Sequence, residues 1–315
     1  MDPNLIFWKS HGQSFLSRVK MWFDLLDPSV LFSTDFDIQN AHSVLGTDKI
    51  QSTKYGHGAA TVALSSVHAD TGEVLPLIFR PPALLPLSSP IVYAAFMPHS
   101  TVKSALLCHF MLQSYYTGFN YVNRNASLKQ EKEMALKQIL LNLGTVSYAT
   151  CAGALPQILI KQLGVRTPFV LNFCRTVLPV PLAAILAYFN LTTVRSEEPE
   201  NGIQVFDSEG NAVGLSKSAG EKAVRETALS RAALLGTTAA VPNLILALLQ
   251  RTRLFQRRSV LLASLRPFSV VFILGLMVPV SFSLFPQLGT IKKERLEEEL
   301  QAAAVDGHLY YHRGL

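Results

Sequence analysis

Along this chain the charged residues gather into clusters, and the stretches between them are apolar and about 19 to 25 residues long. That is close to the roughly 20 residues an α-helix needs to cross a hydrocarbon layer. The clearest stretches are 138–160, flanked by Lys137 and Lys161, 176–194 after Arg175, 232–250 between Arg231 and Arg251, and 267–291. The uncharged run 81–102 is crowded by Pro81, Pro82, Pro86, Pro90 and Pro98, which predicts a short helical core over 84–97. The run 104–123 is also uncharged but carries Gln113, Ser114, Thr117, Asn120 and Asn123; it reads either as a span facing the protein interior or as a half-buried amphipathic helix. The pattern predicts an all-α, polytopic membrane helical bundle of about five transmembrane helices, near 84–102, 139–159, 176–194, 232–250 and 268–288, with 104–123 a candidate sixth. It divides the chain into an N-terminal amphipathic or soluble segment (1–80), a transmembrane domain (81–291) with a polar loop at 195–231, and a polar C-terminal tail (292–315).

The polar segments carry local signals of their own. Phe15, Val19, Trp22 and Leu26 recur at helical spacing with Arg18, Lys20 and Asp24 between them, an amphipathic helix suited to lie on a bilayer surface or to pack on the protein's own polar face. Thr34 followed by Asp37 resembles a capping box, and Gly46 is placed to stop the helix after it. Residues 202–214 alternate apolar and polar around a turn at 208–211, the pattern of a β-hairpin. Asp207, Glu209 and Asn211 alternate like the start of a calcium loop, but the glycine comes one position early and the closing acid is missing, so turn chemistry is the reading. Residues 216–231 predict a helix with Glu221 and Arg225 one turn apart. From Thr290 the tail, with Lys292, Lys293, Arg295 and then 297–299 all Glu, reads as a solvated helix ending near Gly307.

Composition narrows the class. Charged residues make up 16% of the chain, against roughly a quarter in an average soluble domain. The net charge of +6 could point to nucleic acid, yet the bases sit at the ends of apolar stretches, where membrane topology places them, so no nucleic-acid partner is expected and the lipid bilayer is. Cys108, Cys151 and Cys174 lie too far apart for a zinc site or a disulfide framework. The first residues lack the basic and apolar regions of a secretory signal, and Asp2, Asp24 and Asp27 interrupt any presequence, so insertion by internal spans is expected. The connections 161–175 and 251–266 carry three and five bases with no acid, whereas 195–231 carries five bases against seven acids. With five spans this puts the N-terminus on the side of the basic connections and the C-terminus opposite.

No catalytic constellation is present: no nucleophile elbow, no phosphate-binding glycine loop and no paired ligand histidines, since His308 and His312 fall in the tail. An enzyme is therefore not expected, nor a cofactor. What remains is polar groups inside apolar stretches: Asn142, Gln157, Asn172, Asn190 and Asn243, with Pro156, Pro179, Pro181, Pro242, Pro279 and Pro286 to break helices at depth. Broken helices beside buried amides are how transporters build sites for small zwitterions; interhelical hydrogen bonds and simple kinks use the same residues. Ala149 and Gly153 add a small-residue pair that lets helices approach closely.

Several segments resemble the sideroflexin family: His68-Ala-Asp-Thr-Gly-Glu73 followed by Phe79-Arg80-Pro81; Gln113-Ser114 followed by Asn120-Tyr-Val-Asn123-Arg124; the hairpin Gly202-Ile-x-Val-x-Asp207-x-x-Gly210 with Gly214-x-Ser216; Phe285-Pro286-Gln287; and the Tyr-Tyr-His-Arg-Gly-Leu ending. They run in order from about residue 27 to 315, and the 276–289 run looks most like a divergent branch of that family. The resemblance implies a multi-pass protein of the mitochondrial inner membrane that transports a small amino acid, serine in the better-understood members. For the divergent branch it implies a link to iron–sulfur and haem homeostasis and, as the alternative, a non-transporting assembly factor partnered with respiratory complex I assembly factors. The chain departs from the transporting pattern at Ala69, where the family has proline, and at Leu112, Tyr116 and Ala187, where it has asparagines, so amides that a serine site would use are gone. The candidate substrate-binding groups are Asn120 and Asn123, three apart and so on one helical face, with Arg124 to meet a carboxylate and Asn190 from another span. His68, Asp70, Thr71, Gly72 and Glu73 are expected to form a structured turn before the first span, either a gate at the membrane face or a cap that fixes the segment.

Overall fold

The computed structural model of the chain describes residues 3–10, 14–45, 54–126, 132–162, 164, 167–252 and 259–315; Gly46 lies outside them. Four helices lead in: α1 (Pro3–Ser10), α2 (Phe15–Leu25), α3 (Asp35–Leu45) and α4 (Lys54–Ser66). A bundle follows, made of α5 (Pro81–Phe96), α6 (Val102–Val122), α7 (Lys132–Gly153) continued by α8 (Leu155–Gln162), α9 (Pro168–Asn172) continued by α10 (Pro179–Val194), α12 (Lys217–Gln250) and α13 (Ser259–Ser283). The short α11 (Glu197–Asn201) and α14 (Glu298–Gln301) sit in the polar connections.

The six bundle units close into a ring. α5 packs on α6, α6 on α7, α7 on α10, α10 on α12, α12 on α13 and α13 back on α5. Their inner faces share one apolar core, including Leu84, Leu112, Phe119, Leu234, Leu274 and Phe282. Outward they leave large apolar side chains such as Leu107, Ile139, Leu143, Ile185, Leu244 and Phe272 exposed, which water does not favour and a lipid layer does.

By length and composition three helical segments among the described residues can cross a membrane: 168–194, 217–250 and 265–283. A fourth is the α7–α8 pair, bent by 46° where Pro156 cannot donate to the helical ladder. Five spans are thus not confirmed. The α5 helix, expected over 84–102, is 16 residues long and stops at Phe96 before Pro98. The 104–123 run is a full helix of 21 residues, but its polar face, Gln113, Thr117 and Asn120, is buried. The polar helix expected over 216–231 and the apolar span after it are one helix of 34 residues, capped by Ser216, whose Oγ accepts from Ala219 N. Its ion pair is Lys222–Glu226 at 3.9 Å, in place of the expected Glu221–Arg225.

The tail differs most from expectation. In place of a solvated helix it forms two strands, β3 (Leu288–Lys292) and β4 (His308–His312). With β1 (Ile203–Phe206) and β2 (Ala212–Ser216), the expected hairpin, they build an antiparallel sheet in the order β2-β1-β4-β3. The alternation of burial along β4 explains the change: Leu309 and Tyr311 are fully buried against Ile203, Val205, Ala219 and Ile291. Burial of those side chains outweighs the helical propensity of the charged run. Gly289 faces Tyr311 so closely that a Cβ there would overlap the ring.

These contacts settle the parity of the ring. Lys9 Nζ donates to Ser208 O at 2.8 Å, Arg18 Nε to Ser283 O at 2.9 Å, and Leu315 N to Asn123 O at 3.1 Å. The N-terminal helices, the sheet and the last residue therefore gather at one end of the bundle, the terminal end, which corrects the expectation of termini on opposite sides. The described ends of the connections 97–103, 161–175 and 251–266 lie at the other, basic end; in sequence these connections carry nine bases and no acid. α2 uses its amphipathic face on the protein: Trp22 meets Phe282 edge-on at 4.9 Å, while Leu16 and Phe23 stay exposed on its other side.

Candidate functional site

Halfway along the ring, α6 and α10 meet through polar side chains. Asn120 Nδ2 donates to Asn190 Oδ1 at 3.1 Å, and Asn190 Nδ2 donates to Thr117 Oγ1 at 2.8 Å and to Gln113 Oε1 at 3.2 Å. Gln113, Thr117 and Asn120 stand on one stripe of α6 because they are three or four residues apart. All four groups are buried, so in an apolar bundle they must satisfy each other or a ligand. A hole of about 10 Å³, lined by Gln113, Tyr116, Asn120, Ala187, Asn190 and Arg231, lies beside them, room for about one water.

Gln113 also borders a much larger cavity, about 320 Å³, at the basic end, the lower range for small-ligand sites. Its lining carries Lys161, Arg175 and Arg266, with His99, His109 and Gln157. The helix breaks stand around it: the α7–α8 bend at Pro156, and the π-helical turn Phe173–Val177 ahead of Pro179. Gly153 leaves space that the His109 ring fills. His99 Nε2 and His109 Nδ1 are buried without a hydrogen-bond partner.

The other sequence-derived candidates lie elsewhere. Asn123 and Asn120 do not share a site: Asn123 ends α6, its Nδ2 donating to Phe79 O at 3.0 Å and Phe119 O at 2.9 Å. Arg124 stacks on Tyr121 at 3.8 Å and donates to Tyr121 O. His68 Nδ1 accepts from the backbone N–H groups of Asp70 and Thr71, both at 3.3 Å, which leaves Nε2 to donate to Arg124 O at 2.8 Å. Asp70 Oδ2 accepts from Ala126 N at 2.8 Å. Gly72 takes a φ of +69° and its N–H returns to His68 O, while Glu73 O accepts from His68 N. His68, Asp70, Thr71, Gly72 and Glu73 form the expected turn, and it ties the chain before α5 to the end of α6.

Beside this turn the terminal end is held by charge. Arg195 is fully buried and Glu198 nearly so; Arg195 Nη2 donates to Glu198 Oε2 at 2.7 Å and to Arg313 O at 2.7 Å. Glu198 also accepts from Asn125 N and Nδ2 at 3.1 and 2.9 Å. Arg313 reaches Phe282 O and Phe285 O. Glu297 accepts from Ser216 Oγ, Lys217 N and Ser218 N at the start of α12. Burial pushes its carboxyl up, and these donors pull it down further, to a net position below the usual carboxylate range. The remaining polar residues of the apolar stretches serve mostly as ties: Gln157 Nε2 donates to His99 O, Arg266 to Asn243 Oδ1, and Gln138 to Asn142 Oδ1.

Sequence reasoning paired Arg124 with the asparagines because it is adjacent in the chain. The arginine that reaches the hole is Arg231, which had read as the boundary of an apolar stretch. Gln113 and Thr117 were visible as polar residues in the 104–123 run, and the spacing of Thr117 three residues before Asn120 was the signal that they act together.

An apolar helical ring around a buried polar cluster defines a multi-pass membrane protein with an internal polar site. The chain belongs to the sideroflexin family, whose model matches residues 7–315. It is 49% identical to Sideroflexin-4 of Danio rerio over the whole of both chains. It is 35% identical to Sideroflexin-4 of Homo sapiens, over 100% of this chain and 93% of the relative, and 31% identical to Sideroflexin-5 of Homo sapiens, over 96% and 90%. No solved structure matches the chain.

Proposed function

We propose that this protein is a carrier of a small polar solute, a small amino acid, in the mitochondrial inner membrane, with its basic end toward the matrix. The observation that supports the reading is that Gln113 lines the 320 Å³ cavity at the basic end and also accepts from Asn190, the partner of Asn120. The opposite end is closed by the His68–Glu73 turn, the Arg195–Glu198 pair and the C-terminal residues. A site open to one face and sealed from the other is what alternating access requires of one of its states. Nine bases without an acid at the basic end favour the matrix orientation.

Amides that a serine hydroxyl or amine would use are missing around the site. Leu112 lines the large cavity and Tyr116 and Ala187 line the hole, so the three positions that depart from the family's asparagines all surround the site. The same observation favours the second reading, a non-transporting protein that takes part in assembling respiratory complex I, because the inner hole is only water-sized. The link to iron–sulfur and haem homeostasis belongs to the proposal in either form; among the described residues no three His, Cys, Asp or Glu side chains are gathered to hold a metal.

Uptake of labelled small amino acids into proteoliposomes, run with Asn190→Ala, tests the carrier reading. Uptake that Asn190→Ala abolishes at normal protein recovery supports it. Absence of uptake for every amino acid tried, beside co-purification with complex I assembly factors, replaces it with the second reading.

A further inference from the structure

Arg231 is a buried cation with nothing to balance it. It is 3% exposed, and its guanidinium lies 3.9 Å over the Phe282 ring. Among the described residues the ion pairs are Arg80–Asp35, Lys137–Glu200, Arg195–Glu198 and Lys222–Glu226; Arg231 is in none of them and makes no hydrogen bond. The titratable groups that act on it are the cation Arg313, the Tyr116 phenol and the cation Arg195, in that order. Arg195 is neutralised by Glu198, and the Arg313 guanidinium is committed to carbonyl oxygens. An arginine taken out of water without a carboxylate destabilises a fold, and an apolar residue of its size is the better choice there for stability alone.

The hole in front of it has the complementary vacancies. Tyr116 Oη, buried beside Ser88 Oγ, lines the same 10 Å³ space as Arg231 and can turn its donor toward it. Asn120 Oδ1, buried without a hydrogen-bond partner among the described residues, also borders the space, but as an acceptor it can take a bond from Arg231 or a water and not from a carboxylate. The hole is water-sized in this state and shares Gln113 and Leu235 with the 320 Å³ cavity, so a carboxylate reaching Arg231 from that cavity must part those two side chains. The bases Lys161, Arg175 and Arg266 in the cavity lining favour an anionic group there.

We infer that Arg231 is an anion subsite that takes the carboxylate of a small carboxylic-acid solute, with Tyr116 Oη donating beside it. The guanidinium offers a planar pair of donors matched to a carboxylate, and the ring of Phe282 holds its other face. This rests on the carrier reading for its path of entry, but binding at Arg231 is measurable without transport.

The test uses the full-length protein purified in detergent, with the thermal midpoint as readout and Arg231→Met and Arg231→Lys as variants. L-serine and glycolate are the carboxylate probes, and L-serinamide, which lacks the carboxylate, is the control. With no probe added, Arg231→Met is expected to unfold at or above the wild-type midpoint. The carboxylates should raise the midpoint of the wild type and serinamide should not; Arg231→Met should lose the response, with affinity down at least about 30-fold, as for a buried charge pair that loses one partner. Arg231→Lys should retain part of it. A midpoint well below wild type for unliganded Arg231→Met makes the arginine structural and overturns the inference. So does a wild type that responds to no carboxylate, or responds equally to serinamide. Proteoliposomes separate the two claims: uptake unchanged in Arg231→Met keeps the carrier and removes the subsite, whereas an Arg231-dependent glycolate response without uptake of any amino acid keeps the subsite and removes the carrier.

Discussion

Replacing Glu198 by Ala should be the most damaging single change at the terminal end. The carboxylate is 3% exposed and its partner Arg195 is 0% exposed, so the variant leaves a guanidinium in a space that water does not reach. Removing one partner of a buried pair costs about 3–5 kcal/mol. Asn125 N and Nδ2 also lose their acceptor in the same buried space, which keeps the loss out of the lower part of that range. The working figure is therefore about 4 kcal/mol. For a chain of this size each kcal/mol moves the thermal midpoint by about 2 °C, so a fall of roughly 8 °C is expected. The assay is the thermal midpoint of the purified protein in detergent, followed by the fluorescence of Trp8 and Trp22, which stand within 6.2 Å of each other near the terminal end. The double variant Arg195→Met/Glu198→Leu removes both charges and should recover most of the loss, since a buried pair exchanged for apolar residues is often neutral. A fall of less than about 2 °C for Glu198→Ala, or a double variant as unstable as the single one, would refute the view that this pair is a desolvated lock.

Gly220→Ala places a Cβ onto the Glu198 carbonyl; backbone cannot yield as a side-chain tip does, and a loss of about 1–3 kcal/mol in detergent unfolding is expected. Tags on the two termini should be cleaved together by protease added to one face of the membrane, and a cleavage site inserted within 251–266 only from the other; termini that respond from opposite faces would sink the even-pass arrangement. The Glu297 carboxyl is held below its ordinary value of 4.5 in the fold, so its clamp on the start of α12 contributes fully above that pH and is lost as pH falls through the lowered value. Protection of the Lys217 and Ser218 amides from exchange, taken relative to the intrinsic rate at each pH, should fall on acidification in the wild type and be low at every pH in Glu297→Ala.

The apolar stretches were legible because an uncharged run long enough to cross a bilayer is rare in a chain that folds in water, and every bundle unit overlaps the stretch that the charge clusters marked; α6 matches it closely at both ends, whereas α12 begins well before it, at Lys217. The count of spans was not legible, for a physical reason: α5 is shortened by its prolines, and α6 hides a polar stripe that only its neighbour α10 can satisfy. The Thr34–Asp37 capping box was local and read correctly, with Asp37 N on Thr34 Oγ1 at 3.2 Å and Thr34 N on Asp37 Oδ2 at 3.1 Å. The Asp207 turn was equally local, its carboxylate accepting from Glu209 N and Asn211 N. The tail failed because strands β3 and β4 form one sheet with β1, about a hundred residues earlier, and a charged run beside Leu296 and Leu300 looks helical until that partner is known. Of the candidate site, Asn120 and Asn190 come together across 70 positions; Asn123 and Arg124 do not join them, because α6 ends at Val122 and the chain turns away toward Phe79 and the His68 ring.

The segments that carry the family resemblance share a location that their sequence order conceals. The His68–Glu73 turn, Phe79-Arg80, Asn123-Arg124, the β1–β2 hairpin, Gln287 and the final residues all meet at the terminal end: His68 on Arg124 O, Asn123 on Phe79 O, Leu315 N on Asn123 O, Arg313 N on Gln287 O, and Val205 paired with Tyr311. Of the motif residues only Gln113 and Asn120 enter the internal site. The segments that carry the resemblance thus chiefly close one end of the ring, through side-chain-to-backbone and backbone-to-backbone bonds between separate parts of the chain. Such bonds tolerate little change, since each has one geometry and leaving its partner unsatisfied is destabilising. If the carrier proposal holds, the residues around the internal site, Leu112, Tyr116 and Ala187 among them, can vary with the solute while that closure stays the same. On that account, members that share the closure and differ around Asn190 and Arg231 should differ in what they bind and agree in which end they close.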